Sequence, residues 1–215
     1  MGNIKINHYV VGMVQTNCYV AFNKVTKECV VIDPGASGKQ LAEKIRQDGL
    51  TPVAILLTHG HFDHVSAAKT VAKEFDIKIY AHKAEAETLH DSKKNASWMM
   101  GASESYDADV FVNDGEVLNL AGFEIKVLHT PGHTEGGCCY YIPEEAVIFT
   151  GDTLFAQSVG RTDLPGGSMS QLVRSIQGKI LVLTEAGNED TDITAYPGHN
   201  DITTIETERK YNPYL

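Results

Sequence analysis

The stretch LLTHGHFDHVSAA, residues 56–68, packs His59, His61, Asp63 and His64 into six positions of a chain that has nine histidines in all. It completes PVAILLT, an apolar run of strand length, and opens VSAAKTVAKEFD, where Val65, Ala68, Val71, Ala72 and Phe75 recur at helical spacing. The histidines therefore stand where a buried strand gives way to a helix that begins near His64. Gly60 interrupts any helical reading of the cluster, and on a helix His59 and His61 would point about 200° apart. In an extended loop side chains alternate with a period of two. His59, His61 and Asp63 are then expected on one side, with His64 turned away at the helix start. Imidazole and carboxylate are donors that borderline divalent cations such as zinc prefer, so the cluster reads as a metal clamp.

Outward from this stretch the chain alternates between the two element types. IKINHYVV, NCYVAF and ECVVID read as strands, followed by a helix over 37–49 with Ser37 as its cap, Leu41, Ala42 and Ile45 on its apolar face, and Gly49 as its stop. Downstream, IKIYAH returns as a strand and residues 83–101 read as a polar helical region. DVFV, GEVLNL, FEIKVLHT, GGCCYYI and AVIFTGD then follow as strands between Gly, Asn, Asp and Pro turns. MSQLVRSIQGK makes another helix, DITAYPGH another strand, and TTIETERKY a closing helix. Runs of strands with helices between them predict sheets covered on their outer faces by helices, an α/β layered arrangement.

Composition limits what such a chain does. With 215 residues, 42% of them hydrophobic and 21% charged, it is expected to be one globular domain over 1–215. A net charge of −10 and scattered basic residues count against a nucleic-acid partner. No apolar run is long enough to span a bilayer, and the N-terminus lacks a basic head before an apolar core, so no membrane partner and a cytoplasmic location are expected. Cys18, Cys29, Cys138 and Cys139 include no C-x-x-C spacing and read as buried, reduced thiols.

Three later features resemble the first. VLHTPGHTEGG places His133 in a turn after a strand, AVIFTGDTLF places Asp152 just past an apolar strand, and ITAYPGHND places His199 in a second Pro-Gly turn. With the first cluster they make seven candidate donors, a number that suits two metal ions better than one. His8, His82, His90 and His129 fall in no such pattern, and His129 is expected to be structural.

THGHFDH, TPGHTEG, FTGD and YPGHN, in that order after VVIDPG, resemble the signature of the metallo-β-lactamase superfamily along nearly the whole chain. That resemblance implies a four-layer αββα sandwich with a dinuclear site along one edge of the paired sheets. It implies one ion on His59, His61 and His133, the other on Asp63, His64 and His199, with Asp152 bridging. Asp33 would orient a ligand without binding metal. Two divalent ions are implied, zinc first, with iron or manganese tolerated by the same donors. A water shared by the two ions would ionise near neutral pH and attack a polarised carbonyl, and Asp63 would accept a proton.

Within the superfamily the chain is most similar to glyoxalase II, a thioesterase for S-acylglutathiones such as S-lactoylglutathione. GRTDLPGGS and the closing TTIETERKYNPYL match its short forms, which lack a C-terminal helical domain. A small-molecule thioester is thus the expected substrate. Arg161 is the expected contact for a substrate carboxylate, with a salt bridge to Asp163 as the alternative. The same motifs also fit a persulfide dioxygenase with one iron on His59, His133 and Asp152, or a lactonase. Asp152, where class B β-lactamases carry cysteine, sets the chain apart from those enzymes.

Overall fold

The computed structural model describes residues 2–183 and 192–215. Two six-stranded sheets dominate it. The first contains β1 (Ile4–Val11), β2 (Thr16–Asn23), β3 (Glu28–Ile32), β4 (Thr51–Leu56), β5 (Lys78–His82) and β6 (Val110–Val112), side by side in chain order. β1 to β3 pair antiparallel and β3 to β6 parallel. The second sheet is built from β7 (Val117–Leu120), β8 (Phe123–His129), β9 (Cys138–Ile142), β10 (Val147–Gly151), β13 (Thr194–Pro197) and β14 (Thr203–Thr204), in the order β14-β13-β10-β9-β8-β7. A two-stranded ribbon, β11 (Leu154–Phe155) with β12 (Ser158–Val159), leans off it.

Strict alternation decides which face each strand gives to which neighbour. In β2, Tyr19 and Ala21 enter the layer between the sheets, where they meet Ile125, Val127, Tyr140 and Phe149 of the second sheet. Cys18, Val20 and Phe22 of the same strand face outward and are covered by Leu41 and Ile45 of α1 (Gly38–Gln47) and Val71 of α3 (Ala68–Phe75). On the far side Cys139, Tyr141 and Ile148 are covered by Leu172 of α5 (Met169–Ser175) and Ile205 of α6 (Ile205–Tyr211). Each sheet is buried on both faces, and helix, sheet, sheet and helix stack in four layers, the expected αββα sandwich.

Several local expectations shift. Ser37 stands at the start of α1 in a left-handed conformation (φ 57°) and makes no side-chain cap bond. The helix expected from His64 is two helices, α2 (Phe62–Val65) and α3, broken at Ser66 and Ala67. The polar region 83–101 forms only a 3₁₀ turn, the short α4 (Ala86–His90) and a second 3₁₀ turn at Ser97–Met100. All four cysteines are free and buried. Among the described residues, no helix is long and apolar enough to cross a membrane.

Candidate metal centre

Every element that carries a candidate donor ends at the same edge of the sandwich. β3 runs into Asp33, β4 into Thr58 and His59, β8 into the turn of His133, β10 into Asp152 and β13 into His199. These strands run in one direction through the parallel pairs β3–β4 and β10–β13, and through β8, which like β10 is antiparallel to β9. The loops at their C-terminal ends therefore meet. Two glycines permit the approach. A Cβ on Gly198 would lie 2.4 Å from Asp152 Oδ1 and 2.6 Å from His64 Cε1, and one on Gly151, at φ +48°, would lie 2.2 Å from Thr58 Oγ1.

The seven side chains fall into two groups of three around Asp152. His59, His61 and His133 have ring nitrogens within 4.8 Å of one another, as do the donor atoms of Asp63, His64 and His199. In the first group His133 Nε2 is 2.9 Å from His61 Nδ1 and 3.4 Å from Asp152 Oδ2. In the second, His64 Nε2 is 3.4 Å from His199 Nε2 and 3.4 Å from Asp152 Oδ1, while Asp63 Oδ2 is 3.3 Å from His199 Nε2. Donors bound to one tetrahedral zinc ion at about 2.0–2.1 Å stand about 3.3 Å apart, so the separations of 3.3 and 3.4 Å fit a shared cation, while the 2.9 Å between His133 Nε2 and His61 Nδ1 is that of a hydrogen bond.

Neighbouring acceptors settle which ring nitrogen faces inward. Asp33 accepts from the Thr58 backbone N–H at 2.8 Å, from Thr58 Oγ1 at 2.6 Å and from His64 Nδ1 at 2.9 Å. Thr58 Oγ1, having given its proton to Asp33, accepts from His59 Nδ1 at 3.1 Å. His133 Nδ1 donates to the Arg161 carbonyl at 2.7 Å. With Nδ1 protonated in all three, the Nε2 lone pair of each is aimed into the cluster. His59 Nε2 and Asp152 Oδ1 are buried and have no hydrogen-bond partner among the described residues, as expected of atoms placed for a cation. The donor set fits the group that the resemblance implies.

The expected placement of Asp63 and His64 is corrected. His61 keeps an extended backbone (φ −66°, ψ 144°), so the alternation holds for His59 and His61. α2 begins at Phe62, two residues sooner than the sequence suggests, and Asp63 and His64 are successive helical residues. The helix carries Asp63 away from the first two histidines, and the Asp33 bond swings His64 into the site, fully buried.

Charge separates the groups further. Burial, reinforced by neighbouring rings, holds His59 well below the usual histidine range and His61 at about 3; burial also lowers His133. Burial opposes the charges in the other group, yet Asp63 and Asp152 stay ionised, Asp152 at about 2, because imidazoles, His64 foremost, stand beside them. Those carboxylates in turn raise His64 and His199 against burial.

Arg161 meets the cluster through its backbone. Its guanidinium forms a bidentate pair with Asp163 at 2.7 and 2.8 Å, with both side chains more than half exposed. His129 stacks on His82 with ring centroids 4.0 Å apart and donates to the Glu135 carbonyl, outside the cluster.

Sequence reasoning missed two supports. Thr16 Oγ1 donates to Asp63 Oδ2 at 2.8 Å. Glu85, fully buried, accepts from the Gly60 N–H at 2.8 Å and from Thr134 Oγ1 at 3.1 Å, tying the loop of His59 and His61 to the turn of His133. Burial pushes its carboxyl up to about 7, partly offset by those donors. Glu85 lies in KAEAETL, which has the polar pattern of an exposed helix, and no sequence signal marks it as buried.

The metallo-beta-lactamase superfamily profile matches residues 11–199, spanning β2 to the last histidine turn. The chain belongs to that superfamily. It is 37% identical over 207 residues to the probable metallo-hydrolase YqgX of Bacillus subtilis, covering 95% of this chain and 94% of that one. Its identity to the hydroxyacylglutathione hydrolase GloC of Haemophilus influenzae is 36% over 207 residues, covering 94% and 93%. Among solved structures it resembles the BLEG-1 B3 metallo-beta-lactamase (TM-score 0.90, 39% identity, 98% and 99% coverage). It also resembles TTHA1623 in a di-iron-bound form (TM-score 0.82, 33% identity, 97% and 100%). The first two relatives support a glyoxalase II-like relationship within a superfamily of metallo-hydrolases.

Proposed function

We propose that the protein is a dinuclear metal-dependent hydrolase of small thioesters such as S-lactoylglutathione. The observation that carries this reading is the meeting of two three-donor groups at the buried Asp152, each group spaced for one cation. His59, His61 and His133 would hold one ion, Asp63, His64 and His199 the other, and Asp152 both. Two bound divalent ions, zinc, iron or manganese, would supply an activated water and polarise the substrate carbonyl. Asp33 and Thr58 keep the lone pairs of His64 and His59 turned inward. Asp63, held ionised, takes up a proton released by the attacking water. Arg161, in an exposed pair with Asp163 that contributes little to stability, can exchange that partner for a carboxylate of the thiol carrier. Four buried free cysteines suit a reducing, cytoplasmic setting.

The GloC relative, described as a hydroxyacylglutathione hydrolase, supports the thioester reading. The BLEG-1 relative supports a second one, β-lactam hydrolysis on the same donors. Metal-loaded protein assayed on S-lactoylglutathione and on a chromogenic cephalosporin separates them, and His59→Ala and Asp152→Ala are expected to lose thioester hydrolysis while staying folded. One iron per chain with sulfite formed from a persulfide substrate would overturn both. For Arg161→Ala, unchanged kcat/KM on every glutathione thioester would remove its substrate role.

A further inference from the structure

A cavity of about 340 Å³ opens beside the Asp63 end of the centre, and Asp63 lines both. Val11, Met13 and Val14, at and after the end of β1, form one wall. Phe62 of α2, Met100 and Tyr106 form the others. Met13 is 81% exposed, Val14 45% and Met100 46%, so three large apolar side chains are left in water around one opening. Scattered exposed apolar residues need no explanation, but a contiguous set lining a concave site does.

The polar lining narrows the occupant. Asp63 and Glu104 are the charged residues in the wall, Ser66 and Ser97 add hydroxyls, and no lysine, arginine or histidine is among the described residues that line it. With Asp63 committed to a metal ion, Glu104 is the charge left facing a carboxylate that enters, and no cationic side chain offsets it among the described lining residues. At the other end of the centre stands Arg161, whose carbonyl holds His133. The centre thus has an apolar end next to Asp63 that offers no cationic side chain among its described lining, and an end next to His133 whose arginine is held in an exposed pair with Asp163.

We infer that the cavity is the acyl subsite, and that the acyl group it takes is uncharged and aliphatic, several carbons long, while the charged thiol carrier lies toward Arg161. This rests on the thioester reading and goes further by assigning the two ends of the substrate.

Binding can be read apart from turnover. Protein labelled with ¹³C in its methionine methyl groups is titrated with N-methylacetamide, N-methylbutanamide and N-methylhexanamide, uncharged amides that cannot act as thioesters. The Met13 and Met100 signals are expected to shift saturably and Met169 not to move. Affinity should rise about fourfold per added methylene. Met100→Glu is expected to abolish the shift of Met13. Val25→Glu, at a 78% exposed position in the turn between β2 and β3, is expected to leave it unchanged. Unmoved Met13 and Met100 signals, equal affinity along the series, or wild-type binding by Met100→Glu would each overturn the subsite.

Turnover then tests the orientation. Among glutathione thioesters, kcat/KM is expected to rise at least tenfold from S-acetyl to S-hexanoyl in the wild type and to stay flat in Met100→Glu. A rise with the length of an alkyl thiol carrying a short acyl group would overturn the acyl assignment. Absence of any thioester turnover by metal-loaded protein would overturn the thioester reading and the acyl assignment with it, while the methionine shifts would still mark an apolar-ligand site.

Discussion

The two halves of the centre are built from similar residues and behave differently. His59, His61 and His133 form a neutral half, where burial suppresses protonation and no carboxylate belongs to the triad. Asp63, His64 and His199 form a charged half, in which a carboxylate and two raised imidazoles balance one another. The difference arises from the backbone that carries each half. An extended loop and a turn bring three rings together in the first. In the second, a helix start puts Asp63 beside His64, and the buried Asp33 orients the latter. A motif of six residues is thus split between two electrostatic environments, joined by Asp152, which touches both.

Removing the joint should give the largest effect. Asp152→Ala is expected to lower kcat/KM for S-lactoylglutathione by about 10³-fold or more, because both halves lose a donor and the negative charge between them. Steady-state kinetics on metal-loaded protein checks this, with circular dichroism confirming the fold.

A change behind one half should sharpen the contrast. Asp33→Ala frees His64 Nδ1 and is expected to weaken metal affinity by roughly 10 to 100-fold, more for the second ion than for the first. Stepwise titration against a chelator separates the two affinities. A larger loss at the first ion would reverse the roles given to the two halves.

The neutral half has its own support in Glu85, and pH reads it. Its folded carboxyl titrates at about 7, above the ordinary value of 4.5, because burial disfavours its charge. Between these values the folded state holds a proton that the unfolded chain has released, so stability is full below about pH 4.5 and falls as pH rises toward 7. The loss attributable to Glu85 is on the order of 3 kcal/mol. In chelated protein, the stability advantage of wild type over Glu85→Gln should shrink across that window, measured by denaturant unfolding. An advantage that grows with pH would contradict the account. The smallest effect is expected from Thr16→Val, which removes one donor from Asp63 and should weaken the second ion by about tenfold.

Much of this architecture is legible in the sequence because it is written at short range. Alternation in NCYVAF places Tyr19 and Ala21 on one face and Cys18, Val20 and Phe22 on the other, and the same pattern in CCYYI divides Cys138 and Tyr140 from Cys139 and Tyr141. The histidine turns announce themselves by composition. What the sequence leaves hidden is set by contacts between distant residues. The inward turn of His64 depends on Asp33, 31 positions earlier. The burial of Glu85 depends on Thr134, 49 positions later. The break between α2 and α3 comes where the Ala67 N–H bonds to the carbonyl of Pro34, a contact that helical periodicity cannot foresee.

The division into two halves is tested most directly by counting ions. Chelated wild-type protein and His199→Ala are titrated with zinc, and bound metal per chain is measured by elemental analysis. The account predicts two ions in the wild type and one in His199→Ala, the one remaining held with near wild-type affinity by His59, His61 and His133. A single ion in the wild type, retained unchanged in His199→Ala, would contradict it.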